Sequence, residues 1–181
     1  MKKYLLLKTQ KENYPYIVDV LKMLLGWNIQ VEEGHQLLKI ECLSVDEKEL
    51  CSTIQSLEAD LNSLISYYLT STSSPEYETE LVFDIFLNLE YGHYQFKEVI
   101  PYVRKKALAL ELFHFIVEGT GVTEDIIMAM ADCDLNVSKA SSKLFMHRNT
   151  LLYKIERLES LKGFDLKHFN DLYLLVQLLK A

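Results

Sequence analysis

Residues 136–166 read NVSKASSKLFMHRNTLLYKIERLESLKGFDL, and this stretch decides the fold of the C-terminal part of the chain. Asn136 is a favoured helix N-cap residue, and the apolar residues after it predict a short helix. Met146 and His147 then separate this helix from a longer one that stops at Gly163, where glycine suits a left-handed C-cap. A short helix, a tight turn and a longer helix form the helix-turn-helix pattern.

Apolar residues at helical spacing predict which faces of these helices are buried. The predicted inward residues of the short helix are Val137, Ala140, Leu144 and Phe145, and those of the longer helix are Leu151, Leu152, Ile155 and Leu158. A preceding helix, EDIIMAMADC, is predicted to be capped by Thr123, and a final apolar helix is predicted to be capped by Asn170. The C-terminal part is therefore expected to be a small helical module.

The opposite face of the longer helix is polar. Placing its residues at 100° intervals turns four donor-bearing side chains away from the leucines: Asn149, Thr150, Tyr153 and Arg157. Arg148 and Lys154 lie at the flanks, where phosphates would run if this helix entered the major groove. This arrangement predicts a recognition helix, with a solvated helix face as the plain alternative.

Charge is shared unevenly along the chain. Residues 1–135 carry 11 Lys/Arg and 22 Asp/Glu, a net of -11, whereas residues 136–181 carry 8 and 4, a net of +4. Residues 136–157 hold five basic side chains and one acidic one. The total of -7 argues against general coating of nucleic acid, but a local basic patch suits one docking surface.

The same stretch resembles the C-terminal helix-turn-helix of the PucR/CdaR class of bacterial transcription regulators. The resemblance lies in Asn-x-Ser from Asn136, His-Arg-Asn-Thr at 147–150, Tyr153, and Gly-x-Asp-Leu from Gly163. A looser likeness to the DNA-binding end of the Fis protein points the same way. Lys154 departs from the family, which more often has arginine there. The resemblance implies a bacterial DNA-binding transcription factor.

The resemblance and the helix geometry together predict a set of residues that contact double-stranded DNA. They are Lys139, Lys143, His147, Arg148, Asn149, Thr150, Tyr153, Lys154 and Arg157. The planar donor groups of Asn149 and Arg157 suit base edges, and the three lysines suit phosphates. One recognition helix covers few base pairs, so a homodimer on two half-sites is expected, held together by the apolar final helix or the N-terminal sheet.

The N-terminal part predicts a different architecture. Its elements follow the order β-α-β-β-α-β, with a hairpin turn at Glu33–Gly34, which is the order of a ferredoxin-like domain. The resemblance to PucR/CdaR regulators implies that this domain is a degenerate GGDEF-like one. The predicted fold class is α+β. The predicted domains are 1–72 for this sheet, 73–119 for connecting helices and 120–181 for the helix-turn-helix. No Gly-Gly-Asp/Glu-Glu-Phe signature occurs, so cyclic-dinucleotide synthesis is not predicted.

Other classes of function have little support in the sequence. No signal peptide and no stretch of about 18 uncharged apolar residues is recognised, and three cysteines without a CxxC pair suit a reduced, cytoplasmic setting. No metal site, cofactor or catalytic residue is predicted, and no small-molecule effector is identified. The alternative to DNA binding is a protein-interaction module that keeps the helix-turn-helix fold; an enzyme acting on a nucleotide has only the GGDEF-like architecture behind it.

Overall fold

A computed structural model describes residues 3–25, 31–34, 37–42, 46–70 and 75–181. It combines one β-sheet with packed helices, so the predicted α+β class is confirmed. The chain divides into two compact units, and each is described by itself.

The first unit, residues 1–99, holds the sheet. Its elements are β1 (Lys3–Lys8), α1 (Tyr14–Leu25), β2 (Val31–Gly34), β3 (Leu37–Cys42), α2 (Glu47–Leu61), β4 (Ser66–Leu69), α3 (Pro75–Leu87), β5 (His93–Tyr94) and α4 (Phe96–Val99), with a 3-10 turn at Lys11–Asn13. Asp46 caps α2, because its carboxylate accepts hydrogen bonds from the backbone N–H groups of Lys48 and Glu49.

The sheet has the strand order β2-β3-β1-β4-β5. The pairs β2–β3, β1–β3 and β1–β4 are antiparallel, and β5 adds to β4 in parallel. In the hairpin, Gly34 still pairs with Leu37, so the predicted turn at Glu33–Gly34 is wrong. Residues 35–36 lie outside the described residues.

Both faces of the central strand β1 are buried. Leu5 and Leu7 pack with Ile17 of α1 and with Ile54 of α2 in one apolar cluster. Leu6, which points to the other face, is also fully buried, and α3 packs against β1. A short continuous apolar run is the pattern of a strand that is covered on both sides.

A buried hydrogen bond joins α3 to the sheet. The phenol of Tyr68 in β4 donates to the carboxyl group of Glu78 in α3, and both side chains are inaccessible to solvent. Burial, and then the negative charge of Glu78, raise the pKa of Tyr68 well above its ordinary value. Tyr68 also lies beside Phe86 of α3, with ring centroids 6.1 Å apart.

The second unit, residues 100–181, is helical in its described elements. After a 3-10 turn at Ile100–Tyr102 come α5 (Lys106–Val117), α6 (Glu124–Asp132), α7 (Val137–Lys143), α8 (Arg148–Lys162) and α9 (Phe169–Lys180). α9 packs against α5 and α6, and α8 packs against α5 and α7. Leu175 of α9 and Ile127 of α6 are fully buried in this unit.

Two predicted helix caps need correction. Thr123 occupies the N-cap position of α6, but its side chain makes no capping hydrogen bond. The final helix begins earlier than expected, so its N-cap residue is His168 and not Asn170. Side chains hold the preceding turn: Asp165 accepts from the backbone N–H of Lys167, and Asp171 accepts from that of Asp165.

Across the described residues, none of the helices has both the length and the apolar character that crossing a membrane requires.

Candidate DNA-binding surface

Capping residues define the ends of α7 and α8. The Asn136 side chain accepts a hydrogen bond from the backbone N–H of Lys139 at 3.1 Å, as predicted from its position. His147 caps α8, because its ring nitrogen Nδ1 accepts from the backbone N–H of Asn149 at 3.2 Å. At the far end, Gly163 adopts φ 75° and its N–H donates to Glu159. These contacts place α8 directly after the turn.

The turn itself closes α7 with two backbone hydrogen bonds. The N–H of Phe145 donates to Ser142 at 3.2 Å, and the N–H of Met146 donates to Ser141 at 2.9 Å. The second bond spans five residues and Phe145 is left-handed, with φ 50°, which is the geometry of a Schellman motif. The predicted two-residue connection is too short: α7 ends at Lys143, so residues 144–147 separate it from α8, and they are held by this motif and the His147 cap.

α8 has the two faces that its sequence predicts. Leu151, Ile155 and Leu158 are fully buried, and Leu152 is partly buried. The side chains of the opposite face are exposed: Asn149, Thr150, Tyr153 and Arg157. The helix therefore presents a polar surface about two turns long.

Tyr153 and Arg157 form a pair on this surface. They lie one helical turn apart, and Arg157 Nη1 donates to the Tyr153 hydroxyl at 3.3 Å. Tyr153 is 59% exposed, so its ring is not packed into the core of the unit. The contact orients the guanidinium group along the exposed face.

Arg148 lies at the first position of α8 and reaches back to α7. Its Nε donates to the Ser138 hydroxyl at 3.1 Å, while both residues remain exposed. The side chain therefore bridges the two helices of the motif. Lys139, which follows Ser138 in α7, is also exposed.

Two of the predicted phosphate-binding lysines have partners within the module. Lys143 Nζ lies 2.6 Å from a carboxylate oxygen of Asp132 in α6, and hydrogen bonding to this carboxylate raises the pKa of Lys143. Lys154 Nζ donates to the backbone oxygen of Gly121 at 2.5 Å and is only partly exposed. Gly121 has φ 77°, and the side chain of Lys154 passes close to the point where a Cβ would stand. Lys154 thus ties α8 to the segment before α6.

The prediction that Phe145 faces inward is wrong, because its side chain is 100% exposed. The predicted helix was two residues too long: it ran to Phe145, whereas α7 ends at Lys143, and the left-handed turn changes the direction of the side chains that follow. Gly121 and Ser138 were also absent from the predicted surface. The Asn-x-Ser pattern offered a signal for Ser138, whereas a backbone oxygen such as that of Gly121 leaves none.

Comparisons with known proteins bear on the second unit most directly. Residues 125–181 match the family model of the PucR C-terminal helix-turn-helix domain, which confirms the resemblance seen in the sequence. The DNA-binding transcriptional activator AdeR of Bacillus subtilis (strain 168) is 25% identical over 172 residues, which cover 92% of this chain and 39% of AdeR. The chain thus spans about two-fifths of the length of that curated relative.

A solved structure shares the fold over nearly the whole chain. It is the regulator of polyketide synthase expression from Bifidobacterium adolescentis, with a TM-score of 0.53 and 15% identity. The alignment covers 99% of this chain and 79% of the solved one.

Proposed function

We propose that this chain is part of a bacterial transcription regulator and that α8 reads DNA in the major groove. The observation that carries the proposal is the exposed polar face of α8, within a module that matches a helix-turn-helix family. AdeR, which aligns with most of this chain, is named as a DNA-binding transcriptional activator. The mechanism is binding and not catalysis.

Roles within the proposed surface follow from side-chain chemistry. Asn149 and Arg157 present planar donor groups that suit the edges of adenine and guanine, respectively. Arg148, which precedes Asn149 in α8, and Lys139, which is exposed on α7, would contact phosphates, which position the helix without reading sequence. Thr150 and Tyr153 offer hydroxyl groups on the same exposed face, and His147 sets where α8 begins.

Selection of bound DNA from a random pool tests the proposal. The parent chain should enrich a defined sequence, and its affinity should fall as salt rises because bound phosphates release counterions. Arg157→Ala should lose affinity for the selected duplex. Arg104→Ala is the matched control, since Arg104 carries the same charge and is exposed, but it lies before α5 and binds the backbone oxygen of Pro101.

Equal loss in the two arginine variants would mean that total charge, and not the face of α8, determines binding. Failure of the parent chain to enrich any sequence would overturn the proposal.

We also propose that the sheet of the first unit is a ferredoxin-like, degenerate GGDEF-like domain. Its support is the strand order β2-β3-β1-β4 with antiparallel neighbours, which suits two split β-α-β units. The domain limits of 1–72, 73–119 and 120–181 stay a prediction. Along the chain, the boundary between the two compact units falls between residues 99 and 100, so α3 belongs to the unit with the sheet and α5 to the helical unit.

A homodimer is the proposed binding species, and α9 is the proposed contact. Its leucines are largely used inside the module, since Leu172, Leu175 and Leu178 are buried. The exposed apolar surface lies instead at Phe169 and Tyr173, whose rings stack with centroids 5.9 Å apart beside a cleft of about 270 Å³. Sedimentation should show a dimer of the parent chain and a shift toward monomer after Tyr173→Ala.

A protein-interaction module without useful DNA affinity is the second candidate. The contacts of Lys143 with Asp132 and of Lys154 with Gly121 favour it, because both ammonium groups already have partners inside the module. Binding of selected and random duplexes with equal, weak affinity at low salt would support this candidate over sequence-specific recognition.

A further inference from the structure

Both the backbone conformation and the exposure of Phe145 are unfavourable for a large apolar residue. Its φ of 50° lies in the left-handed region, which is unfavourable for a bulky side chain and is usually occupied by glycine at the end of a helix. Its side chain is 100% exposed, so no apolar surface is buried in return. A residue held in this way at a turn indicates a contact outside the module.

Two other residues with positive φ in the same unit lack these disadvantages. α8 ends at Gly163, where glycine takes φ 75° without strain. Leu135 also has a positive φ, of 64°, but it is partly buried and lines an apolar cleft. Phe145 has neither the freedom of Gly163 nor the packing of Leu135.

The position of Phe145 points to the nature of its partner. It stands three residues before Arg148, so its Cα lies within about 11 Å of the start of α8. The three residues that begin two positions after Phe145 are all exposed and belong to the surface proposed to bind DNA: His147, Arg148 and Asn149. On its other side, the exposed residue two positions before it is Lys143. In the major groove, the apolar group that a base pair offers is the C5-methyl of thymine, and phenylalanine is among the side chains that contact it.

We propose that Phe145 is a specificity-determining residue whose ring packs against a thymine methyl group beside the N-terminal end of α8. The inference rests on the proposed DNA-binding function. It adds an apolar contact to a surface otherwise made of donors, and it places this contact on the turn and not on the helix. The contact buries the ring only when DNA is bound, which accounts for its exposure in the chain alone.

Phe145→Gly separates binding from folding. Glycine adopts the left-handed conformation at no steric cost, so the midpoint of thermal unfolding should stay the same or rise. Affinity for the duplex that the parent chain selects should fall by about tenfold or more, since burial of a phenylalanine ring is lost. Phe145→Asn keeps a residue that tolerates this conformation and should lose affinity in the same way. Leu161→Ala, which trims an exposed apolar residue near the other end of α8, should leave affinity unchanged.

Replacement of single thymines by deoxyuridine in that duplex tests whether a thymine methyl group contacts Phe145. Deoxyuridine lacks only the methyl group, so the parent should lose about fourfold in affinity at one thymine of each half-site, the cost of one buried methyl group. Phe145→Gly should show no loss at that thymine. The expected result is therefore coupling between the protein change and the DNA change, so that their losses in affinity are not additive.

Three outcomes overturn the inference while leaving the proposed function intact. The first is parental affinity in Phe145→Gly, and the second is a deoxyuridine loss that persists in this variant. The third is a change in sedimentation of the DNA-free Phe145→Gly protein without a change in affinity for a half-site, which would assign Phe145 to a protein contact. Failure of the parent chain itself to select DNA would instead remove the proposed function.

Discussion

The two units use polar side chains in opposite ways. In the first unit, the carboxyl group of Glu78 and the phenol of Tyr68 are buried together between α3 and the sheet. In the second, polar side chains of α8 lie on its exposed face. The hydrogen-bonded pairs Arg157–Tyr153 and Arg148–Ser138 are both exposed to solvent. Burial makes a polar group matter for folding, and exposure keeps it available for binding.

Formal charge follows the same division. The first unit carries 8 basic and 16 acidic residues, a net of -8, and the second carries 11 and 10, a net of +1. Because an acidic unit repels DNA, the proposed DNA-binding function suits the second unit better than the first. Substitutions in the first unit should therefore change stability, and substitutions on α8 should change binding.

The largest expected effect is on folding. Glu78→Ala should lower the free energy of unfolding by about 3 kcal/mol, because it leaves the buried phenol of Tyr68 without this acceptor and removes packed volume. Denaturant unfolding measures the change. Glu80→Ala is the control, since Glu80 is an exposed glutamate two residues along the same helix.

The double variant Glu78→Ala/Tyr68→Phe tests the cause of that loss. It should be less destabilised than the sum of the two single variants, because the orphaned hydroxyl is gone. Additive losses would mean that the hydrogen bond contributes little and that packing alone explains the effect. DNA affinity of the folded fraction should be unchanged throughout.

The second effect is on binding alone. Arg157→Ala or Asn149→Ala should cost about 2 kcal/mol on a selected duplex and relax the preference at one base pair. The free energy of unfolding should shift by no more than about 0.5 kcal/mol, because both side chains are exposed. Fluorescence anisotropy on duplexes that differ by one base pair provides the measurement.

Tyr153→Phe refines the assignment, since it removes the hydroxyl that accepts from Arg157 and keeps the ring. If Arg157→Ala and Asn149→Ala both bind the selected duplex as tightly as the parent while folded, α8 is not the reading helix.

The third effect links folding to the start of α8. His147→Ala should destabilise the second unit by about 1 kcal/mol, because the N–H of Asn149 loses its side-chain acceptor. His147→Asn should retain most of that stability, since asparagine is a favoured N-cap residue. Equal losses in the two variants would show that His147 contributes through other contacts and not through the cap.

The C-terminal module could be predicted from sequence because its signals are local. Helical spacing gave the buried face of α8, Asn136 gave the start of α7 and Gly163 gave the end of α8. Phe145 was misplaced because its exposure depends on where α7 stops, and a left-handed phenylalanine has no local signature. The partners of Lys143 and Lys154 come from other segments, so no spacing within α7 or α8 could indicate them.

Prediction of the sheet unit was less complete for the same reason. The order of its elements was readable, but α3 packs on β1 across some 70 residues of chain, a contact that its own helical spacing does not encode. The fully buried run Leu5, Leu6 and Leu7 was the available clue, because an exposed sheet face would alternate with polar residues.

The smallest expected effect distinguishes phosphate contact from base reading. Lys139→Ala should weaken selected and random duplexes alike and reduce the slope of log affinity against log salt by about one, since one counterion fewer is released. Lys143→Ala and Lys154→Ala should change the slope less, because both ammonium groups have partners within the module. Lys105→Ala, at an exposed position before α5, controls for loss of charge. A salt slope in Lys139→Ala equal to that of Lys105→Ala would remove Lys139 from the DNA surface and leave Arg148 as the phosphate contact beside α8.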